Sequence, residues 1–326
     1  MEEGGRVWWR FFVLTFWRFS VKFFSEILQK MKIISFSCEC DNPTNRLDVR
    51  FTGICDNSCP FCVEKNGREA QEHASPEILA KRTLDAFPEV VGILGGEPLL
   101  YPKRVLEYVK LIRPHIPKIY ITTSLPFTIL GHLSEVREII DLVDGINVSL
   151  LADNHETHNN ILHAKSRHNR FSLLKQLADY SPEKFRACIN LYKGGVDDRY
   201  KLINMFDIAA KCGIKNIKIN EIQWDDKGYI SYEKIMGMKK MPPAYATGCY
   251  RELPDGDYLK ETYPNFNIKL HRSCWKTTKA VEPSFLDILK DIIRIFRPIK
   301  RKPFRVLYED GLLSNGWLKA KFIYNK

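Results

Sequence analysis

The run Cys55-Asp56-Asn57-Ser58-Cys59-Pro60-Phe61-Cys62 carries three cysteines at Cys-x3-Cys-x2-Cys spacing. Three soft thiolates on one short loop point to metal ligation. A cubane iron–sulfur cluster takes four ligands, so three protein ligands leave one iron open. An open metal position is where chemistry takes place, as at catalytic zinc sites. The same thiols could instead hold zinc, with the fourth ligand drawn from Cys38, Cys40 or His73, the nearest candidates in sequence. A second informative run, Gly95-Gly96-Glu97-Pro98, follows about one strand–helix unit later.

The elements that must position these runs alternate. Apolar, β-branched segments at 47–54, 90–94, 118–123, 145–150, 185–191 and 216–222 read as strands. Helical patterns lie between them at 76–87, 102–116, 131–143, 168–178 and 196–212. Ser75 before Pro76 is an N-cap with proline at the first helical position, and Gly213 is a C-terminal stop. Strands alternating with helices imply a parallel sheet with helices outside. A closed barrel has eight such units, so six predict an α/β fold built as a partial (β/α)6 TIM-like barrel. In such folds chemistry sits at the C-terminal strand ends, where both the cysteine run and the glycine run fall.

Composition sets wider limits. The chain has 326 residues, 44% of them apolar and 27% charged, as in ordinary globular proteins. Its formal net charge of +11 suggests an anionic partner, whether nucleic acid, membrane surface or substrate, or simply a solvated surface. Nine cysteines, three of them clustered, favour a reducing compartment with metal ligation over a disulfide framework. A cytoplasmic location is therefore expected. The aromatic-rich leader, residues 1–30, contains Trp8, Trp9, Phe11, Phe12 and Trp17 interrupted by Arg10, Arg18 and Lys22. It has no uncharged stretch of the roughly 18 residues that a membrane span needs. Two readings remain: an interfacial amphipathic helix that docks the protein peripherally at a membrane, or a segment upstream of a true start at Met31. Residues 31–225 are assigned to the barrel, and 226–326 to a C-terminal extension that caps the substrate or carries an auxiliary site. That extension holds one strong helical pattern, 284–296, and a basic run from Arg294 to Arg305.

The cysteine loop, with Phe61 just before its last cysteine, resembles the cluster loop of the radical S-adenosylmethionine (radical SAM) superfamily. Gly95-Gly96-Glu97-Pro98 at the second strand end looks like that family's glycine-rich loop. The resemblance covers residues 46–222 and all six strands. It implies that Cys55, Cys59 and Cys62 ligate a 4Fe–4S cluster whose fourth iron binds S-adenosylmethionine. Reductive cleavage would then release a 5′-deoxyadenosyl radical that takes a hydrogen atom from substrate. On this reading Gly95 and Gly96 let the backbone approach the methionyl end of the cofactor. Glu97 pairs with its amino group, and Pro98 stiffens the turn. Ser124 follows the third strand, in a Ser124-Leu125-Pro126 run where the family more often has Asn-Gly. Ser149 shares a strand face with Asn147 and is the nearer to the barrel mouth. Both serines are expected at the cofactor. His155, His158, His163 and His168 resemble the family's His-Asp-x-x-Arg-type segment, with Glu156 in place of the acid. Their spacing is not that of a compact metal site, so they read as solvated or helix-surface histidines.

Cys38, Cys40, Cys249 and Cys274 form a second candidate set for an auxiliary cluster or a structural zinc. The expected substrate is a small molecule or a peptide, with peptide or protein modification favoured. A nucleotide or tRNA substrate is the alternative, although no RNA-binding module is recognisable. An electron donor such as flavodoxin or ferredoxin is implied by the resemblance. The contrasting class is a non-catalytic, zinc-stabilised interaction protein.

Overall fold

The computed structural model describes residues 45–62, 72–222, 227–238, 250–251, 253, 255–272 and 305–314. The leader, Cys38, Cys40, Cys249, Cys274 and the 284–296 helical pattern lie outside the described residues. Among the described residues, no helix is long and apolar enough to cross a membrane.

Strand β1 (Arg46–Thr52) shows the rule that builds the sheet. Successive side chains point to opposite faces. Leu47, Val49 and Phe51 are fully buried in the apolar core, while Asp48, Arg50 and Thr52 point the other way. The pattern repeats through β2 (Val90–Gly95), β3 (Lys118–Thr123), β4 (Gly145–Leu150), β5 (Phe185–Leu191) and β6 (Asn216–Glu221). These strands pair in sequence order, each parallel to the last. Parallel neighbours need crossover connections, and helices supply them. Those helices are α1 (Pro76–Asp85), α2 (Pro102–Ile112), α3 (Leu133–Leu142), α4 (His155–Leu162), α5 (Arg170–Ala178) and α6 (Arg199–Lys211). Apolar strand residues meet the helices, and the polar strand face is left as the interior.

Caps locate the helices as their residue types dictate. The Ser75 hydroxyl accepts from the Ile78 N–H ahead of α1, and Asp198 accepts from the Lys201 N–H ahead of α6. Helix α6 therefore starts at Arg199, three residues later than the expected 196. Helix α4 was not foreseen. Asn154 caps it, and His163, in the left-handed region at φ 47°, ends it.

The sheet also continues beyond the six expected strands. Its order is β10-β9-β1-β2-β3-β4-β5-β6-β8-β7. Strands β8 (Asn267–Arg272) and β9 (Arg305–Leu307) join β6 and β1 in parallel, and two-residue strands β7 (Tyr250–Arg251) and β10 (Leu313–Ser314) cap the edges antiparallel. The edges do not meet, so the architecture is an open, partial α/β barrel. The segment after residue 226 thus supplies strands to both edges of the barrel sheet. Lysine and histidine on the interior face of β8, and the brevity of β9, hide both strands from an apolar-pattern reading.

A buried ion pair fastens the β9 edge. Arg50 on β1 pairs with Glu309, just after β9; the two side chains are 2% and 0% exposed. The Arg50 guanidinium also lies 5.8 Å from the Tyr308 ring centroid, and the Glu309 carbonyl accepts from the Ala74 N–H at 2.7 Å. Removing one member of a buried pair takes away the partner that offsets the cost of burying the other. Glu309→Ala is therefore expected to lower stability by about 3–5 kcal/mol, read as a shift of the urea unfolding midpoint. An unchanged midpoint would show that the β9 edge contributes little to the cooperative unit.

Candidate functional site

The cysteine loop leaves β1 at its C-terminal end. Thr52 Oγ1 accepts from the Ile54 N–H at 3.0 Å and starts the turn. Cys55 Sγ accepts from the Asn57 N–H at 3.4 Å, and the Cys62 N–H donates to the Cys59 carbonyl at 3.2 Å. The loop is docked on the end of α4 and the segment that follows it. Ser58 N–H donates to Leu162 O at 2.8 Å, and Lys165 N–H to Asp56 O at 3.0 Å. Phe61 packs on Tyr192 with ring centroids 4.9 Å apart. Cys59 and Phe61 rest on a small apolar cluster of Leu151, Leu162, Ala164, Tyr192 and Ile222. Leu151, Tyr192 and Ile222 stand at or just beyond the ends of β4, β5 and β6, so the loop reaches across the mouth of the sheet. The aromatic before the third cysteine is its anchor.

The three thiols are half-buried and none is in a disulfide. Burial pushes the Cys55 thiol up to about 12, against the pull of the Asn57 N–H.

The glycine run is zipped to the stem of the cysteine loop. Gly96 N–H donates to Thr52 O at 2.6 Å, and Glu97 N–H to Ile54 O at 2.9 Å. Such approach excludes side chains. A Cβ on Gly96 would lie 2.1 Å from Ile54 O, and one on Gly95, at φ 127°, would lie 2.5 Å from Thr52 O. The glycines therefore serve the packing of loop on loop, in addition to any role at the cofactor.

Glu97 sits differently from the expectation that its carboxylate meets the cofactor's amino group. It is 1% exposed. Oε1 accepts from Leu99 N–H at 3.1 Å and Thr123 Oγ1 at 2.8 Å, and Oε2 accepts from Ser124 N–H and Ser124 Oγ, both at 2.7 Å. Burial raises its pKa while these four donors pull it down. Ser124 Oγ in turn accepts from Asn57 Nδ2 at 2.7 Å. One chain of hydrogen bonds thus runs from the cysteine loop through Ser124 to the glycine run. Pro98, buried, opens the short 3₁₀ turn Pro98–Leu100.

The cysteine loop, the glycine run and Ser124 are brought together; Ser149 stands apart. It lies half-buried on β4 opposite Cys188 of β5, and no described hydrogen bond joins it to either loop. It belongs to a polar inner wall. On that wall Asn147 lies 3.4 Å from both Thr122 Oγ1 and Arg186 Nη1, and Asn220 Nδ2 donates to Asn190 Oδ1 at 2.9 Å.

Two of the four clustered histidines depart from the expected solvated state. His155 and His163 are exposed. His158 is fully buried: its Nδ1 accepts from Leu151 N–H at 3.2 Å, and burial, with the charge of Arg170, holds its pKa down to about 3. His168 Nε2 lies 2.8 Å from the carbonyl of Leu125, a buried residue in the left-handed region at φ 59°. Sequence reasoning also missed Asn57, Tyr192 and Arg170, whose side chains fix the loop. Their partners lie far away in sequence, so no local pattern marks them.

Among the described residues, no three His, Cys, Asp or Glu side chains close around one point. A single zinc needs such convergence. His73, the described candidate for a fourth ligand, instead places Nε2 3.0 Å from Thr52 Oγ1. A cubane spreads its thiolates over separate irons. A loop carrying three thiolates offers the donor set of a cluster with three protein ligands and an open iron.

The profile of the Radical SAM superfamily matches residues 49–219, just over half of the chain. A putative glycyl-radical enzyme activating enzyme of Methanocaldococcus jannaschii is 23% identical over 280 residues, which cover 83% of this chain and 70% of that protein. Among solved structures, anSMEcpe with bound AdoMet and the Cp18Cys peptide is 15% identical with a TM-score of 0.41, covering 53% of this chain and 50% of its own. Methylornithine synthase is 15% identical with a TM-score of 0.44, covering 59% and 60%. The chain thus spans 50–60% of the length of those two solved proteins.

Two outcomes are expected from the site's geometry. Glu97→Gln turns an N–H₂ group towards donors that need an acceptor, and stability falls by about 1–3 kcal/mol in denaturant unfolding; wild-type stability would mean those donors find other acceptors. His158 stays neutral in the fold with a pKa of about 3, against 6.5 when unfolded. The unfolded chain therefore binds more protons across that window, and stability drops as pH falls from about 6.5 towards 3. His158→Asn, which keeps an acceptor for Leu151 N–H, should make the urea midpoint fall less between about pH 7 and about pH 5. His271, also held to about 3 by burial beside Lys218, retains part of the slope. Equal slopes would exclude His158 as a source of acid sensitivity.

Proposed function

The chain belongs to the Radical SAM superfamily, whose members are enzymes that use a 4Fe–4S cluster and S-adenosylmethionine, and from that premise we propose that Cys55, Cys59 and Cys62 hold the cluster in an enzyme that modifies a peptide or protein. The observation that carries this reading is the pairing of a three-thiol loop with the glycine run at adjacent parallel strand ends, zipped backbone to backbone. When bound, the cluster and S-adenosylmethionine supply one-electron cleavage of the sulfonium and a 5′-deoxyadenosyl radical that abstracts hydrogen.

The chain's own residues supply placement. Phe61 and Tyr192 anchor the loop that presents the thiols. Gly95, Gly96, Glu97 and Pro98 offer backbone for the methionyl end of the cofactor, with Glu97 acting as the brace that holds this backbone in place. Ser124 and Ser149 offer hydroxyls at the third and fourth strand ends. The sheet is open rather than closed, an architecture compatible with a substrate larger than a metabolite. A polypeptide is further supported by the Methanocaldococcus relative, whose name describes action on another enzyme. An electron donor of the flavodoxin or ferredoxin kind completes the reaction.

Anaerobic reconstitution tests the reading. About four irons per chain are expected in the wild type and none in the Cys55/Cys59/Cys62→Ala triple variant, with 5′-deoxyadenosine formed under dithionite by the wild type alone. Four irons left in the triple variant would reveal a second cluster at Cys38, Cys40, Cys249 and Cys274. Zinc bound without sulfide would overturn the proposal. Peptide pools should raise 5′-deoxyadenosine formation above the basal rate; stimulation by tRNA instead would reverse the substrate assignment.

A further inference from the structure

Arg170, the first residue of α5, is 1% exposed, and its guanidinium reaches back to the cysteine loop. Nη2 donates to Asn57 Oδ1 at 3.0 Å and lies 3.4 Å from Asp56 Oδ2; Nη1 lies 3.3 Å from Asn159 Oδ1. Burying a guanidinium is costly unless it is fully satisfied, and this one is not: Arg170 Nε, Asp56 Oδ1 and the neighbouring His158 Nε2 are buried without a partner. A better-satisfied or apolar side chain would serve packing alone. The placement of the charge therefore points to the loop above it.

Asn57 shows how that charge acts. Three of its polar groups point three ways: Oδ1 accepts from Arg170, Nδ2 donates to Ser124 Oγ, and the backbone N–H donates to Cys55 Sγ. Arg170 and Ser124 thus grip the side chain of the residue whose backbone N–H is aimed at the sulfur. Hydrogen bonds to ligating sulfurs and nearby charge both set the reduction potential of an iron–sulfur cluster. A cation and an N–H···S bond each favour the reduced, more negative state, so their effects add.

We propose that Arg170 is a positioning residue that locks the Cys55–Asn57 arm of the loop and holds up the reduction potential of the cluster bound there. This rests on the reading that Cys55, Cys59 and Cys62 ligate that cluster. Charge and fork geometry have separable consequences. The potential follows the positive charge. The grip on the arm follows the guanidinium fork, with Nη2 on Asn57 and Asp56 while Nη1 is held by Asn159, a geometry that a lysine cannot reproduce.

The test compares reconstituted wild type, Arg170→Gln, Arg170→Lys and Asn57→Ala, after circular dichroism has shown each to be folded. Iron per chain, the midpoint potential by redox titration with electron paramagnetic resonance, and the rate at which an anaerobic chelator strips iron are measured. Arg170→Gln is expected to shift the potential to more negative values and to lose iron several-fold faster. Arg170→Lys should keep a potential near that of the wild type while losing iron faster, a split that a purely structural residue would not give. Asn57→Ala, which leaves Arg170 in place, should also lose iron faster. Wild-type potential and release rate in Arg170→Gln would overturn the proposal. Should that variant fail to fold, wild-type release in Asn57→Ala overturns it instead. A wild type that binds no iron sinks the underlying ligand assignment, and the proposal with it; iron in every variant with unchanged potential and release sinks the proposal alone.

Discussion

Glu97 gathers donors from two strand ends around one buried carboxylate: Leu99 N–H beyond β2, and Thr123 Oγ1, Ser124 N–H and Ser124 Oγ at β3. Ser124 passes the connection to Asn57 on the cysteine loop. A buried charge is tolerable only when its lone pairs are filled, and here filling them ties three strand ends to one another. The backbone bonds from Gly96 to Thr52 and from Glu97 to Ile54 close the same joint from the other side. The thiols stand where they do because this joint leaves the loop stem one path.

Beneath the loop the polar groups are less comfortable. Arg170, Asp56 and His158 each keep an unpartnered buried atom, and Leu125 holds a left-handed backbone that favours glycine. Strain and unmet polarity of this kind persist where the surrounding structure over-determines a conformation, and they gather at functional sites. Here they sit between the cysteine loop and the helices after β4, while the apolar core on the helix side of the sheet holds the frame. The interior face opposite that core is polar from Thr122 to Asn220, the complement a substrate cavity needs.

Local chemistry was legible from the sequence. The Cys-x3-Cys-x2-Cys run, the glycine run, the six alternating strands and the Ser75 cap depend on neighbours within a few residues, and such signals survive in one dimension. Helix α4 escaped because histidines and asparagines carry little helical preference, although Asn154 offered its cap. Strands β8 and β9 escaped because their interior faces carry polar side chains or too few residues to form a pattern.

The sequence by itself determined which groups are available at the strand ends and which fold class presents them, because ligand type, spacing and period are local properties. Only the tertiary structure decided that Glu97 braces the loops, that His158 is buried and neutral, that Arg170 lies under Asn57, and that residues after 226 close onto both edges of the sheet. Each of these contacts joins residues far apart in the chain. Burial, which sets the cost and the strength of every polar contact, exists only once the chain has folded back on itself.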